Sequence, residues 1–226
     1  MRQYYLAALL TVAMSGCDGG SVLGDVTANQ DGAHTVNGSI QVPAGLHSGA
    51  VGTVNGSIHV GENATVGSAN TVNGSIDMGT HASADSASTV NGSVTLAAGA
   101  HVTHAVTTVN GSMNLGSDAE VGGALQNVNG QIVLTAAHVA GGVRTVGGDI
   151  DITGASRVEG GILVQKNNSW FGWDTRKPRI VIGPGAVVQG DLRFERAVQL
   201  YVSEQASIGP VTGATAVRYA GKAPTG

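Results

Sequence analysis

Seven histidines and a single cysteine are among the side chains in this sequence that could serve as bases, nucleophiles or metal ligands. The histidines are His34, His47, His59, His81, His101, His104 and His138. Placed on an 18-residue register they do not share one column, and only His101 and His104 have a spacing that could suit a metal, given further ligands. No phosphate-binding loop, nucleophile elbow or paired-carboxylate motif accompanies them. We therefore expect no catalytic residue, no metal and no cofactor, and we do not expect an enzyme.

The cysteine, Cys17, lies directly after an apparent export signal. Arg2 provides the positive charge, and residues 6–14 form an apolar stretch that is too short to span a bilayer. The pattern resembles a bacterial lipoprotein signal peptide over residues 1–16, which implies lipidation of Cys17. The alternative is an ordinary secretory signal with an incidental cysteine. The lipoprotein interpretation predicts an exported protein anchored in the bacterial cell envelope, on the periplasmic face of the inner or outer membrane, with residues 17–33 as a flexible tether.

A repeat of 18 residues organises most of the remaining chain. The string TVNGSI and its close variants begin at residues 35, 53, 71, 89, 108, 127 and 145. Such regular self-similarity indicates a solenoid, in which each repeat is one coil that buries its apolar side only by stacking on its neighbours. We predict regular coils over residues 34–165.

Each repeat divides into three six-residue units, and each unit is long enough for one short strand and one corner. The first and fifth positions of each unit, which are the valine and the final isoleucine of a TVNGSI string, are predicted to point inward and to stack on the same positions of the next coil. Because strand residues alternate in direction, the threonine and asparagine beside the valine are predicted to point outward. The sequence therefore predicts an all-β fold: a single-stranded parallel β-helix, that is, a triangular β-solenoid with roughly nine coils of about 18 residues. Asn-Gly is also the strongest short hairpin signal, so an antiparallel sheet of hairpins is the competing fold.

Asparagines at one position of the repeat are predicted to form a structural ladder, because stacked amides can hydrogen-bond at the strand spacing of about 4.8 Å. This column comprises Asn37, Asn55, Asn73, Asn91, Asn110 and Asn129. A second column holds threonine in almost every repeat. If its hydroxyls formed a flat outer face they could bind a glycan or ice, although threonine also favours strands without any ligand.

The regular repeat is interrupted at residues 166–179, which read KNNSWFGWDTRKPR. We predict a projecting loop here, terminal coils over 180–213 and a loosely ordered tail over 214–226. The loop could cap apolar surface at the end of the solenoid, or it could bind a protein or glycan partner, since Trp and Arg are enriched at interface hot spots. The candidate partner-binding residues are Trp170, Phe171, Trp173, Arg176, Lys177 and Arg179.

Charge is distributed unevenly along the chain. Residues 17–143 contain eight acidic residues and no Lys or Arg, whereas residues 144–226 contain ten Lys or Arg and seven acidic residues. An elongated molecule with this distribution has a strong dipole along its axis, which either serves solubility or favours head-to-tail association or docking on an acidic partner. No motif of nucleic-acid recognition accompanies the basic residues, so we expect no nucleic-acid partner.

The TVNGSI strings spaced by about 18 residues after a lipoprotein signal resemble two groups of bacterial solenoids, the bactofilins and the adhesin-like β-strand-repeat proteins of unknown function. Likeness to the bactofilins implies a right-handed triangular β-helix that polymerises end to end without nucleotide. The export signal and the Trp-containing loop depart from the bactofilin pattern. The six-residue units also resemble those of hexapeptide-repeat acyltransferases and zinc carbonic anhydrases, which use histidines between subunits.

The function that these observations favour is that of a membrane-anchored envelope lipoprotein with a structural, scaffolding or adhesion-type role. Its expected partners are the membrane, through the N-terminal lipid, and either a second copy end to end or a protein or glycan at the loop. A glycan- or ice-binding face is the alternative, and a hexapeptide-repeat acyltransferase or a metal-dependent enzyme is the less favoured one.

Overall fold

The computed structural model describes residues 24–166 and 176–224. The predicted signal peptide, Cys17 and the aromatic residues Trp170, Phe171 and Trp173 lie outside the described residues. Within these ranges the secondary structure consists of β-strands without a helix, and all paired strands run parallel. The prediction of an all-β parallel β-solenoid with about 18 residues per turn is therefore confirmed, and the antiparallel hairpin alternative is wrong.

The solenoid has three faces, each formed by strands of successive coils. The strands of the first face are Val26–Thr27, Ile40–Val42, Ile58–Val60, Ile76–Met78, Val94–Leu96, Met113–Leu115, Ile132–Thr135, Ile150–Thr153, Arg179–Ile182, Gln199–Ser203 and Ala216–Tyr219. The second face comprises His47–Ser48, His101–Val102, Glu120–Val121, His138–Val139, Arg157–Val158, Val187–Val188 and Ser207–Ile208. The third face comprises Ala33–Asn37, Val51–Asn55, Val106–Asn110, Leu125–Asn129, Val143–Thr145, Ile162–Val164, Leu192–Phe194 and Val211–Thr212. Two longer strands, Thr65–Asn73 and Ser83–Asn91, run through the second and third faces in turn.

The core is a set of apolar columns that run along the solenoid axis. One of them stacks Ile40, Ile58, Ile76, Val94, Met113, Ile132, Ile150, Ile180 and Leu200, which are all 1% exposed or less. These residues occupy the fifth position of the first six-residue unit, or its equivalent, and they point inward as predicted. Their burial against the same position of the next coil supplies the hydrophobic free energy that holds the coils together.

The orientation predicted for the TVNGS string is wrong in one respect. Thr53 and Thr71 are completely buried, whereas Val54 and Val72 lie on the outer side of the third face and are half-buried. A buried hydroxyl must find a partner. The Oγ1 of Thr71 donates to the carbonyl oxygen of Gly56 in the preceding coil at 2.9 Å. Because this bond satisfies the threonine inside, strand alternation directs the valine outward.

The corner between the third and first faces explains the glycine of the repeat. A Cβ atom on Gly74 would lie 1.9 Å from the carbonyl oxygen of Gly56, and the other interior coils repeat this approach. A side chain there would collide with backbone, so adjacent coils can reach hydrogen-bonding distance only with glycine at this position.

Two segments predicted to lie outside the solenoid contribute strands to it. Val26–Thr27, in the predicted tether, pairs with Ile40–Val42, and Ala216–Tyr219, in the predicted tail, pairs with Gln199–Ser203. The first face therefore has eleven strands, and the solenoid has about 10 coils rather than nine. Neither segment carries the TVNGS string, but each can satisfy the backbone groups of the neighbouring coil.

Candidate functional site

The asparagine column forms a continuous hydrogen-bonded ladder on the corner between the third and first faces. From Asn55 onward, the Nδ2 of each residue donates to the Oδ1 of the asparagine one coil earlier, over distances of 2.7 Å for Asn55 to Asn37 and 3.1 Å for Asn129 to Asn110. The three bonds between these ends measure 2.9, 2.9 and 3.0 Å. All six side chains are exposed, so the ladder presents a row of amides to solvent.

The side-chain ladders end together between the coil that contains residues 127–132 and the coil that contains residues 145–150. We call this boundary the seam. Gly147 takes the place of asparagine there, and Thr145 accepts a bond from the Gly148 N–H at 2.9 Å instead of donating to a glycine carbonyl. The first cationic side chain after the signal, Arg144, also lies at the seam. The regular, acidic part of the solenoid therefore meets its less regular, basic part at a single coil boundary.

The 166–179 insert replaces the Asn-Gly corner one coil beyond the seam. Ile150 pairs with Ile180, so one coil spans 30 residues where the repeat spans 18. Asp149 holds the C-terminal base of the insert: its Oδ1 accepts from the Arg179 backbone N–H at 2.8 Å, and its Oδ2 pairs with the Arg176 guanidinium. At the other base, the Lys166 N–H donates to a Glu195 carboxylate oxygen at 3.4 Å.

Arg196 ties the C-terminal base of the insert to the seam coil. Its Nη1 donates to the carbonyl oxygen of Val146 at 3.1 Å, and its Nη2 donates to that of Arg176 at 2.9 Å. One guanidinium therefore bridges the coil before the insert and the C-terminal base of the insert.

Three of the six predicted partner-binding residues belong to the described chain, and they differ in exposure. The Arg176 side chain is 62% exposed and Lys177 is exposed, so both are accessible to a partner. Arg179 is largely covered. Its Nη1 pairs with Asp151 at 3.2 Å, and its guanidinium carbon lies 5.7 Å from the centre of the Tyr201 ring.

The predicted tail covers Arg179 from the outside. The Nη2 of Arg179 donates to the Pro224 carbonyl oxygen at 2.8 Å, and the Nε is buried without a hydrogen-bond partner. Tyr219, 8% exposed, lies close by. Burial raises the pKa of its hydroxyl above the usual value, while Arg179 acts in the opposite direction. Arg179 therefore fastens the tail to the first face, a packing role that its sequence context did not suggest.

Three of the seven histidines share a column, which their spacing in the sequence did not reveal. On the second face the register aligns His47 and His101 with Glu120 and His138. The histidines are 54 and 37 residues apart, and coils of both 18 and 19 residues keep them aligned. The other four histidines lie at other positions. The Glu120 carboxylate lies 3.4 Å from the Nδ1 atoms of both His101 and His138.

The charged column continues past His138 into a shallow open groove. The Nε2 of His138 and the Nε of Arg157 each lie 3.2 Å from Glu159 Oε1. These hydrogen bonds, from His138 first and then Arg157, lower the pKa of Glu159. Asp118 and Glu120 complete the polar lining of the groove, whose volume is about 350 Å³. Among the described residues, no group of three or more His, Cys, Asp or Glu side chains is arranged to hold a metal ion.

The C-terminal end of the core is closed by a charged residue. Arg218 pairs with Val202 and continues its inward column, but the Arg218 side chain is exposed and its Nη1 donates to the Ser203 carbonyl oxygen at 3.2 Å. Val217, beside it, is 52% exposed. The last coil therefore ends its apolar column with a guanidinium.

The chain finds no match among models of protein families, curated proteins or solved structures. Across residues 24–166 and 176–224, none of the secondary structure is a helix with the length and apolar character needed to cross a membrane.

Proposed function

We propose that this chain is an envelope lipoprotein with a structural role: a rod, anchored through a lipid on Cys17, that holds the two bases of the 166–179 insert at defined positions on its surface. The observation that carries the proposal is the attachment of the insert at both of its bases. Asp149 and Arg196 hold the Arg176 end, and Glu195 holds the Lys166 end. Groups presented from a rigid frame bind a partner with less loss of conformational freedom.

The ladders make the rod a suitable spacer. Eight first-face strands lead from Val26–Thr27 to Ile150–Thr153, and seven steps of about 4.8 Å place the insert roughly 34 Å along the axis. Each step in the regular half adds side-chain hydrogen bonds to the backbone bonds. The insert would therefore stand away from the anchored end, with its exposed Arg176 and Lys177 directed at an acidic or polar partner.

Discrete rods fit the C-terminal end better than a bactofilin-like polymer. In an end-to-end stack, the first coil of a second copy would cover Arg218 and the exposed end of the last coil. Taking a guanidinium out of water costs several kcal/mol unless an opposite charge meets it. The ice- or glycan-binding alternative receives less support, because the threonine hydroxyls that it requires are buried and bonded to glycine carbonyls.

Negative-stain electron microscopy of the detergent-purified full chain, at low and high salt, tests the assembly state. We expect separate rods roughly 48 Å long, ten coil steps of about 4.8 Å, at every protein concentration. Filaments at low salt that dissolve in high salt would instead support end-to-end assembly driven by the charge dipole and would contradict discrete rods.

Membrane fractionation tests the anchor. The wild-type chain should partition into the membrane pellet and incorporate labelled fatty acid, and Cys17→Ala should do neither. Val217→Ala, which changes an exposed side chain at the opposite end of the solenoid, is the matched control and should behave as wild type. Equal membrane partitioning of Cys17→Ala and wild type would refute the lipid anchor.

A further inference from the structure

Six Asn-Gly dipeptides lie at one corner of the solenoid, one in each of six successive coils. Their asparagines are the members of the ladder. In an Asn-Gly pair the backbone nitrogen of glycine can approach the side-chain carbonyl carbon of asparagine, because glycine has no Cβ to obstruct it. The six pairs have the same local chemistry, so differences in their reactivity must come from the fold.

Five of the six glycine nitrogens are held in backbone hydrogen bonds. The N–H groups of Gly38, Gly56, Gly74, Gly92 and Gly111 each donate to the carbonyl oxygen of the ladder asparagine one coil later, at 3.0 or 3.1 Å. The asparagine side chains of these coils also accept a bond from the next amide. Attack by such a nitrogen requires the coil to open locally, which lowers its rate.

Gly130, at the seam, lacks this protection. In the described chain the Gly130 N–H has no backbone acceptor. The next coil follows a different path at this corner, and its Gly147 N–H donates to the Val128 carbonyl oxygen. Gly130 has a φ of 128°, and of the five protected glycines only Gly38, with a φ of 152°, also has a positive φ. Asn129 still donates to Asn110 at 3.1 Å, but its Oδ1 receives no amide from Gly147, which has no side chain.

We propose that Asn129-Gly130 is a site of spontaneous succinimide formation and deamidation, while the other five Asn-Gly pairs are protected by the ladder. Hydroxide removes the Gly130 amide proton, and the nitrogen attacks Cγ of Asn129. An N–Cγ bond forms, the bond from Cγ to Nδ2 breaks, and Nδ2 leaves as ammonia after gaining a proton from water. Water then opens the five-membered ring at either carbonyl and leaves aspartate or isoaspartate.

The product changes the seam. An aspartate carboxylate at position 129 accepts but cannot donate, so Asn110 Oδ1 loses its partner. Isoaspartate adds one carbon to the backbone path, which displaces the corner relative to the coils on either side. In either case one negative charge appears where the acidic half of the rod meets the basic half.

Peptide mass spectrometry of the full chain, incubated folded in mildly alkaline buffer, tests the proposal. Because residues 17–143 contain no Lys or Arg, the digest uses a protease that cleaves at apolar residues. The peptide with Asn129 should gain one dalton at least about tenfold faster than the other five, the factor given by ~1.4 kcal/mol of protection. In denaturant all six should react at similar rates.

Two variants sharpen the test. Gly147→Asn extends the ladder by one member, so it should slow the reaction at Asn129, and Asn129→Gln should abolish the fast site, because glutamine cyclises slowly. Equal rates at the six sites of the folded wild-type chain would overturn the proposal. So would faster reaction at another site, or an unreactive Asn129 in a folded chain whose denatured form reacts.

Discussion

The Nδ2 of Asn127 donates to the carbonyl oxygen of Gly111 at 2.8 Å. One coil earlier the equivalent bond comes from a hydroxyl, from Thr108 to Gly92 at 3.0 Å. The amide therefore replaces the hydroxyl as the inward donor, but it brings an additional polar atom. The Oδ1 of Asn127 is buried without a hydrogen-bond partner, and an unsatisfied buried acceptor is costly. This unsatisfied side chain lies in the coil where the ladders end.

Asn127→Thr should stabilise the protein. The threonine hydroxyl would keep the bond to Gly111 and remove the orphaned oxygen, so the free energy of unfolding should rise by roughly 1 kcal/mol. Urea unfolding followed by circular dichroism measures it. Thr89→Val, which removes the donor to Gly74 while keeping the shape, should lower stability by a similar amount. A loss of stability in Asn127→Thr would mean that Oδ1 is satisfied by water.

Gly74→Ala should be severely destabilising. The new methyl group would lie 1.9 Å from the Gly56 carbonyl oxygen, so the coils would have to separate, at a cost of about 3 kcal/mol or more. Gly45→Ala is the matched control, because it has open space around it but a φ of 69°. It should cost only about 1 kcal/mol of left-handed strain. Similar losses in the two variants, measured by urea unfolding, would refute the close approach of the coils.

Asp149→Ala should release the C-terminal base of the insert. Losing the partner of Arg176 and of the Arg179 N–H exposes the backbone there, so trypsin should cleave after Arg176 several-fold faster. Timed digestion with mass spectrometry measures this rate. Asp149→Asn retains an acceptor for Arg179 and should give an intermediate rate.

The control for the insert experiment is Asp85→Ala, an exposed aspartate in the regular half. It should leave cleavage after Arg176 at the wild-type rate. Circular dichroism of each variant distinguishes local release from global unfolding. If Asp149→Ala is folded and cut no faster than wild type, the contacts of Asp149 do not hold the insert.

Glu159 should make the solenoid less stable in acid. Its pKa is lowered in the folded state by His138 and Arg157. The contribution of Glu159 to the free energy of unfolding is therefore full above the ordinary glutamate pKa of roughly 4.3. This contribution is lost as the pH falls through the lower pKa that Glu159 has in the folded state. Glu159→Gln should flatten the dependence of Tm on pH across this acid range.

Glu204→Gln is the control for the pH experiment. Glu204 is exposed and forms no ion pair with any described residue. The variant should keep the wild-type slope of Tm against pH. A wild-type slope in Glu159→Gln as well would show that the bonds from His138 and Arg157 contribute nothing to stability in solution.

The sequence by itself determined the period, the parallel solenoid and the column of asparagines. These follow from repetition alone, because identical residues at a constant spacing must stack when each repeat forms one coil. The inward isoleucines were equally predictable, since the last position of the TVNGSI string is apolar in all seven repeats.

Only the tertiary structure decided which of Thr71 and Val72 lies inside. Strand alternation permits either choice, and hydrophobicity favours valine, but the glycine carbonyl of the preceding coil offers a partner that only the threonine can use. Contacts between coils likewise aligned His101 with His138 through Glu120 and fastened Arg179 beneath the tail. Such contacts join residues 15 to 45 positions apart, and no local pattern encodes them.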